Sequence, residues 1–310
     1  MKIAVLAGGV GGARFVRALT ELVERADVAV IANVGDDLEL HGLHVSPDLD
    51  TLLYTLGGLG DEERGWGRAG ETWNAQETIG RLGGETWFQL GDRDIGLHLV
   101  RTAALRRGEA LSAVTAQLAR ALGLQLGLLP ATDDRLRTRV RTPAGEFEFQ
   151  EWFVARGHRD PVHSVLYEGA ERARAAPGVL EALAAADLIT IAPSNPFVSI
   201  GPILAVSEIR SAIERRRDHV VAVSPLIGGR AVKGPADAMF TSLMGGTSPA
   251  QVADCYRGLI AALVLDEADA ADADAVAERG VTPLITRTLM STPANARALV
   301  ETVLGLVPAS

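Results

Sequence analysis

The N-terminal segment constrains the fold most, because an apolar run, a group of glycines and an amphipathic stretch follow one another there. Residues 2–7 are almost entirely apolar, and the sequence GGVGG, residues 8–12, comes directly after them. The next stretch, ARFVRALTELVERA, places apolar side chains at helical spacing. This order predicts a buried strand, a tight turn and a helix, the first half of a βαβ unit. Backbone N–H groups in such a turn can approach an anion closely.

The same alternation of apolar runs and helical segments continues along most of the chain. Further strands are predicted at residues 27–34, 86–90, 124–130, 187–193, 219–226, 262–267 and 282–288. Strands separated by helices indicate an α/β fold, Rossmann-like and three-layered, with a mostly parallel sheet. We therefore expect residues 1–310 to form a single α/β domain.

One block departs from this alternation. The sequences RLRTRV and EFEFQEWFV alternate polar and apolar residues at period two, and TPAG lies between them. This pattern predicts a β-hairpin, and HSVLYEG predicts a third strand beside it. We expect residues 132–169 to form a small inserted β-rich subdomain on the α/β core.

The composition disfavours several classes of protein. The chain has 310 residues, of which 47% are hydrophobic and 22% charged, as is ordinary for a globular protein. A net charge of -9 does not suit binding to nucleic acid. The single cysteine, Cys255, excludes an internal disulfide and a cysteine metal cluster, and it suits a reducing compartment. We see no signal peptide and no apolar run as long as a membrane span, so we expect a cytoplasmic protein without a membrane partner.

Four aspartates lie within the sequence NVGDDLELHGLHVSPDLDT, residues 33–51. Asp36 and Asp37 follow the second predicted strand, whereas Asp48 and Asp50 precede a helix predicted from about Asp50. Carboxylates in loops beyond a strand can hold a hard metal ion or a hydroxyl group. A purely structural interpretation makes Asp36 a turn residue and Asp48 a helix N-cap, but it accounts for only one member of each pair.

Three common motifs are missing from the sequence. Starting at Gly9, the dinucleotide fingerprint G-x-G-x-x-G requires a glycine where the chain has Arg14. Starting at Gly8, the same fingerprint requires a glycine where the chain has Val10. Neither a Walker A motif nor G-x-S-x-G occurs, which disfavours P-loop proteins and α/β-hydrolases.

Several polar loops follow predicted strands, and the carboxyl ends of parallel strands line one crevice. These loops are the glycine turn, the acidic segment, GDRD at residues 91–94, Ser194–Asn195–Pro196 and Ser224–Pro225. Their convergence predicts diphosphate chemistry, in which N–H groups and basic side chains hold phosphates while carboxylates hold a divalent cation or act as general base. Arg14 and Lys233 are either phosphate ligands or ordinary surface cations. His98 lies inside a predicted helix, where packing is the simpler interpretation.

Taken together, these motifs resemble one family over nearly the whole chain. They occur in the order GGVGGARF, NVGDD, PDLDT, GWG with ETWNAQE, LGDRD, FQEWFV, APSNPFVSIGPIL, SPLIGG and TLMS. The series is similar to the phospholactate transferases of coenzyme F-420 biosynthesis, whose actinobacterial members are phosphoenolpyruvate transferases. The resemblance implies transfer from a guanosine diphosphate-activated (guanylylated) three-carbon phospho acid to the terminal ribityl hydroxyl of the deazaflavin Fo. It also implies release of GMP, assistance by Mg²⁺ and a homodimer.

The resemblance further implies roles for individual residues. Asp36 and Asp50 are expected to be catalytic, and together with Asp37 they are expected to bind Mg²⁺. The residues expected to contact the deazaflavin are Asp48, Asp50, Gln89 and Asp92, with Trp66 as an aromatic wall. The residues expected on the nucleotide side are Gly9, Gly11, Gly12, Ser194 and Asn195. Some relatives carry a basic residue at position 89, where this chain has Gln89.

Two other functions compete with this one. A related family with the same fold binds sugar nucleotides and regulates cell-wall metabolism, and its members carry sequences similar to GGGTG followed by ADDGG. This chain has NVGDDLELHG at that point and lacks the glycine pair. An NAD-dependent oxidoreductase is the other alternative, weakened by the failed fingerprint. No residue selects visibly among phosphoenolpyruvate, 2-phospholactate and 3-phosphoglycerate as the three-carbon acid.

Overall fold

Strands and helices alternate along most of residues 1–306, the range that the computed structural model describes. The strands are β1 (Ile3–Ala7), β2 (Val28–Ala32), β3 (Leu38–Leu40), β4 (Leu43–Val45), β5 (Gly127–Pro130), β6 (Arg137–Thr142), β7 (Gly145–Glu148), β8 (Ser164–Glu168), β9 (Leu188–Ile191), β10 (Val220–Val223), β11 (Leu226–Ile227), β12 (Arg230–Ala231), β13 (Ala262–Asp266) and β14 (Thr282–Thr286). The α-helices are α1 (Gly9–Leu19), α2 (Pro47–Leu56), α3 (Asn74–Arg81), α4 (Asp92–Arg106), α5 (Leu111–Ala121), α6 (Val179–Ala185), α7 (Gly201–Ala205), α8 (Ser207–Glu214), α9 (Ala236–Met244), α10 (Pro249–Cys255), α11 (Ala273–Ala277) and α12 (Pro293–Leu304). Short π-helices span Glu151–Ala155 and Pro196–Ile200, and 3-10 helices span Arg25–Asp27, Arg217–His219 and Glu267–Asp272.

The main sheet has seven strands in the order β14-β13-β10-β9-β1-β2-β5. Every neighbouring pair in this sheet is parallel. The chain adds β2 and β5 on one side of β1, and then adds β9, β10, β13 and β14 on the other side. The strand order therefore reverses between β1 and β9, which is the position where open α/β sheets bind ligands. The predicted three-layer α/β fold with a mostly parallel sheet is confirmed.

Helices cover both faces of this sheet, and the side chains of β1 divide the core between them. Ile3, Val5 and Ala7 pack with side chains of α1, α2, α5 and α12. Ala4 and Leu6 pack on the opposite face with side chains of α6, α7, α8 and α10. All of β1 is buried, as expected for a central strand covered on both faces. This packing fixes the carboxyl ends of the strands, from which the site loops extend.

The strand predicted at residues 86–90 is wrong, because this segment is irregular. The side chain of Gln76 satisfies its backbone instead. Nε2 of Gln76 donates to the carbonyls of Thr86 and Phe88 at 3.0 and 3.3 Å, and Oε1 accepts from the N–H of Leu90 at 3.4 Å. Backbone groups that a neighbouring strand would otherwise pair with are thus satisfied by a helix side chain.

Three other predicted boundaries differ from the structure. The acidic segment contains the hairpin β3–β4, and helix α2 begins at Pro47 rather than at Asp50, as suits proline in the first turn of a helix. The segment SNPFVSIGPIL, expected as a loop, is helical over residues 196–205. Oδ1 of Asn195 starts that helix by accepting from the N–H of Phe197 at 2.9 Å.

Within residues 137–168, three antiparallel strands form a separate sheet in the order β7-β6-β8. Strand β7 ends at Glu148, so the predicted continuation of the strand to residue 154 is wrong. Phe149 and Trp152 pack together in one small core instead. Side chains three residues apart share a face only in a helical conformation, which explains the π-helix there.

In residues 1–306, no single helix is both long and apolar enough to cross a membrane. One helical pair, residues 196–205 with 207–214, meets the length and composition criteria jointly but is bent by 94°.

Candidate active site

A cavity of about 1000 Å³ lies at the point where the strand order reverses. Its wall includes the glycine turn that follows β1 and residues 193–195, which follow β9. Three of the four aspartates of the acidic segment also line it, as do residues from the loops after β10 and β14. The loops at the carboxyl ends of these strands therefore share one cavity.

The glycine turn lies directly against the loop after β9. A Cβ atom on Gly11 would lie 2.7 Å from the carbonyl oxygen of Pro193, and one on Gly12 would lie 2.7 Å from Oγ of Ser194. Ser194 Oγ donates to the carbonyl of Gly8 at 2.8 Å. Larger residues at positions 11 and 12 would push the two loops apart, which accounts for glycine at both.

Asp48 joins the start of α2 to the glycine turn and to the end of β2. Its Oδ1 accepts from the N–H of Gly9 at 2.8 Å, and its Oδ2 accepts from Nδ2 of Asn33 at 2.9 Å. Burial above all, together with the charges of Asp37 and Asp50, raises the pKa of Asp48 to about 6 in spite of these hydrogen bonds. The carboxylate of Asp48 would therefore be stabilised by a positive charge in the cavity.

The two aspartates after β2 have different surroundings. Asp36 is buried in the cavity wall, and its Oδ1 has no hydrogen-bond partner within residues 1–306. Burial raises the pKa of Asp36 well above its ordinary value, and the charges of Asp48 and Asp37 contribute to the increase. Asp37 is not part of the cavity wall. Its Oδ2 accepts from Oγ of Ser46 at 2.9 Å and lies 2.9 Å from Nε2 of His44.

Asp50 forms a buried ion pair with Arg101 of helix α4. Nη1 of Arg101 donates to Oδ2 of Asp50 at 3.1 Å, and Nη2 donates to Oδ1. His98, also buried on α4, places its Nδ1 atom 3.3 Å from Nη1 of Arg101. Burial alone would lower the pKa of Arg101, but the charge and hydrogen bonds of Asp50 outweigh that effect and raise it. The charge of Asp50 is thus compensated by a full positive charge.

A second buried contact lies beside this ion pair. The hydroxyl of Tyr54, on α2, donates to Oδ1 of Asp94, and the same oxygen lies 3.3 Å from Nε2 of His98. Burial raises the pKa of Tyr54, and the charges of Asp50 and Asp94 raise it further, so the hydroxyl stays protonated. Polar and charged side chains therefore join α2 to α4 behind the cavity wall.

Two basic side chains line the cavity on its other side. Nζ of Lys233 donates to the carbonyl of Gly65 at 3.3 Å. A guanidinium nitrogen of Arg14 lies 3.9 Å from the place that a Cβ on Gly65 would occupy. In the part of the chain that the structure describes, neither cation forms a salt bridge with a carboxylate. Uncompensated cations facing a cavity suit an anionic ligand.

Aromatic side chains form a further part of the wall. They are Trp66, Trp87, Phe88, Phe149 and Phe153. Trp66 is 44% exposed, and Trp87 and Phe88 are half-buried, so their rings have surface available for a planar ligand.

Comparison with known proteins identifies the family. The family model described as 2-phospho-L-lactate transferase CofD matches residues 3–287. The chain belongs to the 2-phospho-L-lactate transferase family. It is 44% identical to the phosphoenolpyruvate transferase of Streptomyces griseus over 311 residues, covering 97% of this chain and 98% of that protein. It is 45% identical to the phosphoenolpyruvate transferase of Streptomyces coelicolor over 307 residues, covering 96% of each chain. The enzyme of the same name from Mycobacterium tuberculosis is 42% identical over 311 residues, with 92% and 94% covered.

The motif-based resemblance is therefore confirmed, and the protein is a transferase. Among solved structures, this member of the 2-phospho-L-lactate transferase family is similar to a Bacillus halodurans protein of the UPF0052 family. The TM-score is 0.65 and the identity 16%, with 98% of each chain covered. At that identity the likeness shows the fold alone.

Most of the predicted site residues line the cavity of this transferase. They are Gly9, Gly11, Asp36, Asp48, Asp50, Trp66, Gln89, Ser194 and Asn195. Gly12, Asp37 and Asp92 are not part of its wall. Asp92 instead accepts from the hydroxyl of Thr72 at 2.6 Å and from the N–H of Ala75 at 3.0 Å, so it caps helix α3. These bonds, that of Thr72 above all, lower the pKa of Asp92 to about 2. The geometry therefore gives no support to deazaflavin contact by Asp92. Asp37 lies outside the cavity wall, but its buried Oδ1 has no hydrogen-bond partner within residues 1–306, so Mg²⁺ binding by Asp37 stays a prediction.

The sequence interpretation missed the part of the transferase site that helix α4 carries. His98 is buried, as the packing interpretation expects, but it also borders the cavity between Asp94 and Arg101. The signal was present in GDRDIGLHLVR, because Asp94, His98 and Arg101 are spaced four and three residues apart. Such residues share one face of a helix, and three titratable groups on one face indicate a site.

Two of the transferase's carboxylates suit a divalent cation whose other ligands are substrate phosphates and water. In residues 1–306, no three His, Cys, Asp or Glu side chains form a ready-made metal site. Proteins commonly hold Mg²⁺ through one or two carboxylates, with substrate phosphates and water completing the shell. Asp36, with an unpartnered oxygen, and Asp48, with a raised pKa, fit that arrangement. Asp50 fits it less well, since both of its oxygens accept hydrogen bonds from Arg101.

Proposed function

We propose that this enzyme transfers a phospho-three-carbon-acid group, phosphoenolpyruvyl or 2-phospholactyl, from its guanosine diphosphate-activated form to the terminal ribityl hydroxyl of the deazaflavin Fo. The reaction releases GMP and makes coenzyme F-420-0 or its dehydro form. The observation that carries the proposal is a single cavity lined by uncompensated cations, a carboxylate cluster and aromatic rings. The relatives named phosphoenolpyruvate transferase favour the phosphoenolpyruvyl donor.

The diphosphate of the donor binds on the side of the glycine turn. Helix α1 begins at Gly9, whose N–H donates to Asp48, so the N–H groups that follow it in the first turn are the ones available to phosphate oxygens. Arg14 and Lys233 add two positive charges to the same part of the cavity. Within residues 1–306 neither forms a salt bridge with a carboxylate, and a phosphate would supply the balancing negative charge.

Asp36 and Asp48 are the residues that would hold Mg²⁺, with phosphate oxygens of the donor as further ligands. When bound, the ion neutralises charge that develops on the phosphate oxygens and on the departing GMP. Burial is the main cause of the raised pKa values of both carboxylates, and repulsion by the charge of Asp48 adds to the increase for Asp36. A cation between them and the donor would relieve that repulsion.

Asp50 receives the hydroxyl group of the acceptor. The hydroxyl oxygen forms a bond to the distal phosphorus, while the bond from that phosphorus to the bridging oxygen breaks and its electron pair leaves with GMP. The hydroxyl proton passes to Asp50. Phosphoryl-type transfers have loose transition states in which the proton moves late, so a carboxylate already paired with Arg101 is a sufficient base.

The deazaflavin ring packs against the aromatic wall. Trp66, Trp87 and Phe88 offer exposed ring surface on the side of the cavity that also carries Gln89. Aromatic faces suit a planar heterocycle, whereas the ribityl chain extends towards the carboxylates.

The proposal is tested by incubating the protein with Fo, Mg²⁺ and each guanylylated acid in turn. Mass spectrometry should detect GMP and a deazaflavin phosphodiester, most abundantly with the phosphoenolpyruvate donor. Absence of a diester with all three acids would refute the proposal.

A binding assay separates the proposal from its alternative, a sugar-nucleotide-binding regulatory protein of the same fold. Fo should bind and a UDP-sugar should not. The homodimer implied by the resemblance and the cytoplasmic location expected from the sequence stay predictions. Sedimentation analysis would check the first.

A further inference from the structure

Arg101 is among the largest fully buried side chains of the protein. It lies on helix α4, whereas Asp50, which receives both of its Nη hydrogen bonds, lies on helix α2. Burying a guanidinium is costly unless it is paired, and an ion pair adds little stability over an apolar pair of the same size. A buried arginine beside a reaction cavity therefore calls for an explanation beyond folding.

The negatively charged carboxylates of this region differ in the donors that balance their charge. Asp50 receives two bonds from a full cation. Asp48 receives bonds only from the neutral groups of Gly9 and Asn33. Asp36 has an oxygen without any partner within residues 1–306. Asp50 therefore differs from Asp48 and Asp36 in that its negative charge is balanced by a cation, Arg101.

The orientation of Arg101 is fixed by its own neighbours. Arginine only donates hydrogen bonds, so Nδ1 of His98, 3.3 Å from Nη1, is the acceptor. The other ring nitrogen of His98, Nε2, lies 3.3 Å from Oδ1 of Asp94. Tyr54 donates to the same oxygen of Asp94. The guanidinium of Arg101 therefore faces Asp50 with two nitrogens, and His98 contacts one of them, Nη1.

We infer that Arg101 is a positioning residue for the transfer reaction: its fork holds Asp50 as the acceptor of the alcohol's hydrogen bond and leaves Asp36 and Asp48 to the cation. The inference rests on the proposed function and deepens it. A planar fork fixes both carboxylate oxygens at once, which a lysine ammonium cannot do. The N–H of Ser46 also donates to Oδ2 of Asp50, at 3.3 Å. Because Asp50 lines the cavity, a lone pair that neither Arg101 nor Ser46 uses can accept from the alcohol.

The test compares Arg101→Lys and Arg101→Met with the wild-type enzyme at saturating Mg²⁺. We expect kcat to fall about 100-fold in Arg101→Met, since misplacing a reacting group by about 1 Å has an effect of that size. Arg101→Lys, which keeps the charge but not the fork, should recover only part of the loss. KM for the guanylylated donor should stay within about 3-fold of wild type in both variants, because the donor is held elsewhere. Arg107→Met, at the exposed C-terminal end of the same helix, is the matched control and should behave as wild type.

A double-mutant cycle keeps the test decisive if Arg101→Met alone is poorly folded. The variant Asp50→Asn/Arg101→Met removes both charges, which proteins tolerate better than the loss of one partner. If Arg101 acts through Asp50, the double variant should be no slower than Asp50→Asn alone. Multiplicative losses in kcat, or wild-type kcat in Arg101→Lys, would overturn the inference. Because wild-type turnover is measured in the same assay, absence of product there would refute the proposed function instead.

Discussion

The two sides of the cavity are built in different ways. The acidic floor, consisting of Asp36, Asp48 and Asp50 in the cavity wall with Arg101 behind them, is buried and held mainly by hydrogen bonds between helices and strands. The loop rim, consisting of residues 60–68, 226–236 and 288–291, is partly exposed. Val232 of the rim is 58% exposed, for example, whereas all four floor residues are buried.

A few side-chain contacts hold the loop rim in place. Asp269 accepts from the N–H groups of Gly228 and Gly229, each at 3.0 Å. Asp266 accepts from the N–H and the hydroxyl of Thr288 at 2.7 and 3.0 Å. Both anchors lie at or just beyond the end of β13. From this contrast we expect the floor to be fixed before substrate binds and the rim to have more freedom to adjust.

The largest difference between the two sides should appear in turnover. Asp36→Asn removes a carboxylate charge from the proposed cation site, so kcat should fall on the order of 10³-fold. Steady-state assays over a range of Mg²⁺ concentrations would measure the loss. Glu39→Gln, an exposed change in the neighbouring hairpin, should leave kcat unaltered. An Asp36→Asn enzyme with near-normal turnover would remove Asp36 from the mechanism.

The pH dependence of stability should have opposite signs on the two sides. Burial raises the pKa of Asp48 from 3.8 to about 6, so the folded state binds the extra proton and stability falls as pH rises through that window. The contribution is roughly 3 kcal/mol for this difference in pKa. Asp266 is the rim counterpart: burial alone would raise its pKa, but hydrogen bonds from Ala268 and Thr288 lower it, so its contribution is lost as pH falls.

Urea unfolding of wild type, Asp48→Asn and Asp266→Asn at several pH values would measure both effects. The difference between Asp48→Asn and wild type should shift in favour of the variant between about pH 4 and about pH 7. The difference for Asp266→Asn should grow less favourable to the variant as pH rises through the acidic range. Equal pH dependence for both variants would contradict the contrast between floor and rim.

A rim cation should affect binding more than chemistry. Lys233→Ala should raise KM for the guanylylated donor about 10- to 100-fold, because one charge-assisted contact to phosphate is lost. The kcat value should change much less. Lys2→Ala, at the exposed start of the chain, serves as control. If KM for Fo rises instead of KM for the donor, the assignment of the two sides is reversed.

The smallest effect is expected when a contact that anchors the loop rim is weakened while every side chain proposed to bind substrate is kept. Asp269→Asn keeps one acceptor oxygen where two backbone N–H groups now donate, so KM for the donor should rise about 3- to 10-fold. Isothermal titration with GDP would measure the same change without turnover. Asp272→Asn removes a nearby carboxylate that is not bonded to the rim and should have no effect. Unchanged GDP affinity in Asp269→Asn would show that the anchor does not set the rim.

The central strands β1, β9, β10 and β13 could be predicted because each is a short apolar run that is buried along its whole length. Local sequence patterns predicted the wrong secondary structure where side-chain contacts determine the backbone conformation. TWFQL has the composition of a strand, yet Gln76 takes up its backbone hydrogen bonds. The alternation in EFEFQEWFV stops where Trp152 turns into a small core.

The candidate site was only partly predictable for a related reason. Residue type and loop position were sufficient to select Asp36, Asp48 and Asp50. The partner of Asp50 was not apparent, because Arg101 lies 51 residues further along the chain and meets it only through the packing of α2 against α4. The contact of Lys233 with Gly65 spans 168 residues and has no local signature.

The close approach of Gly11 to the carbonyl of Pro193 has a consequence for how such enzymes diversify. The glycine turn and the loop after β9 contact each other so closely that the residues of one must fit those of the other. A chimera of two relatives with its crossover between Gly11 and Pro193 should be active only when the residues at these two positions are compatible. Active members of a shuffled library should therefore show covariation between positions 11 and 193.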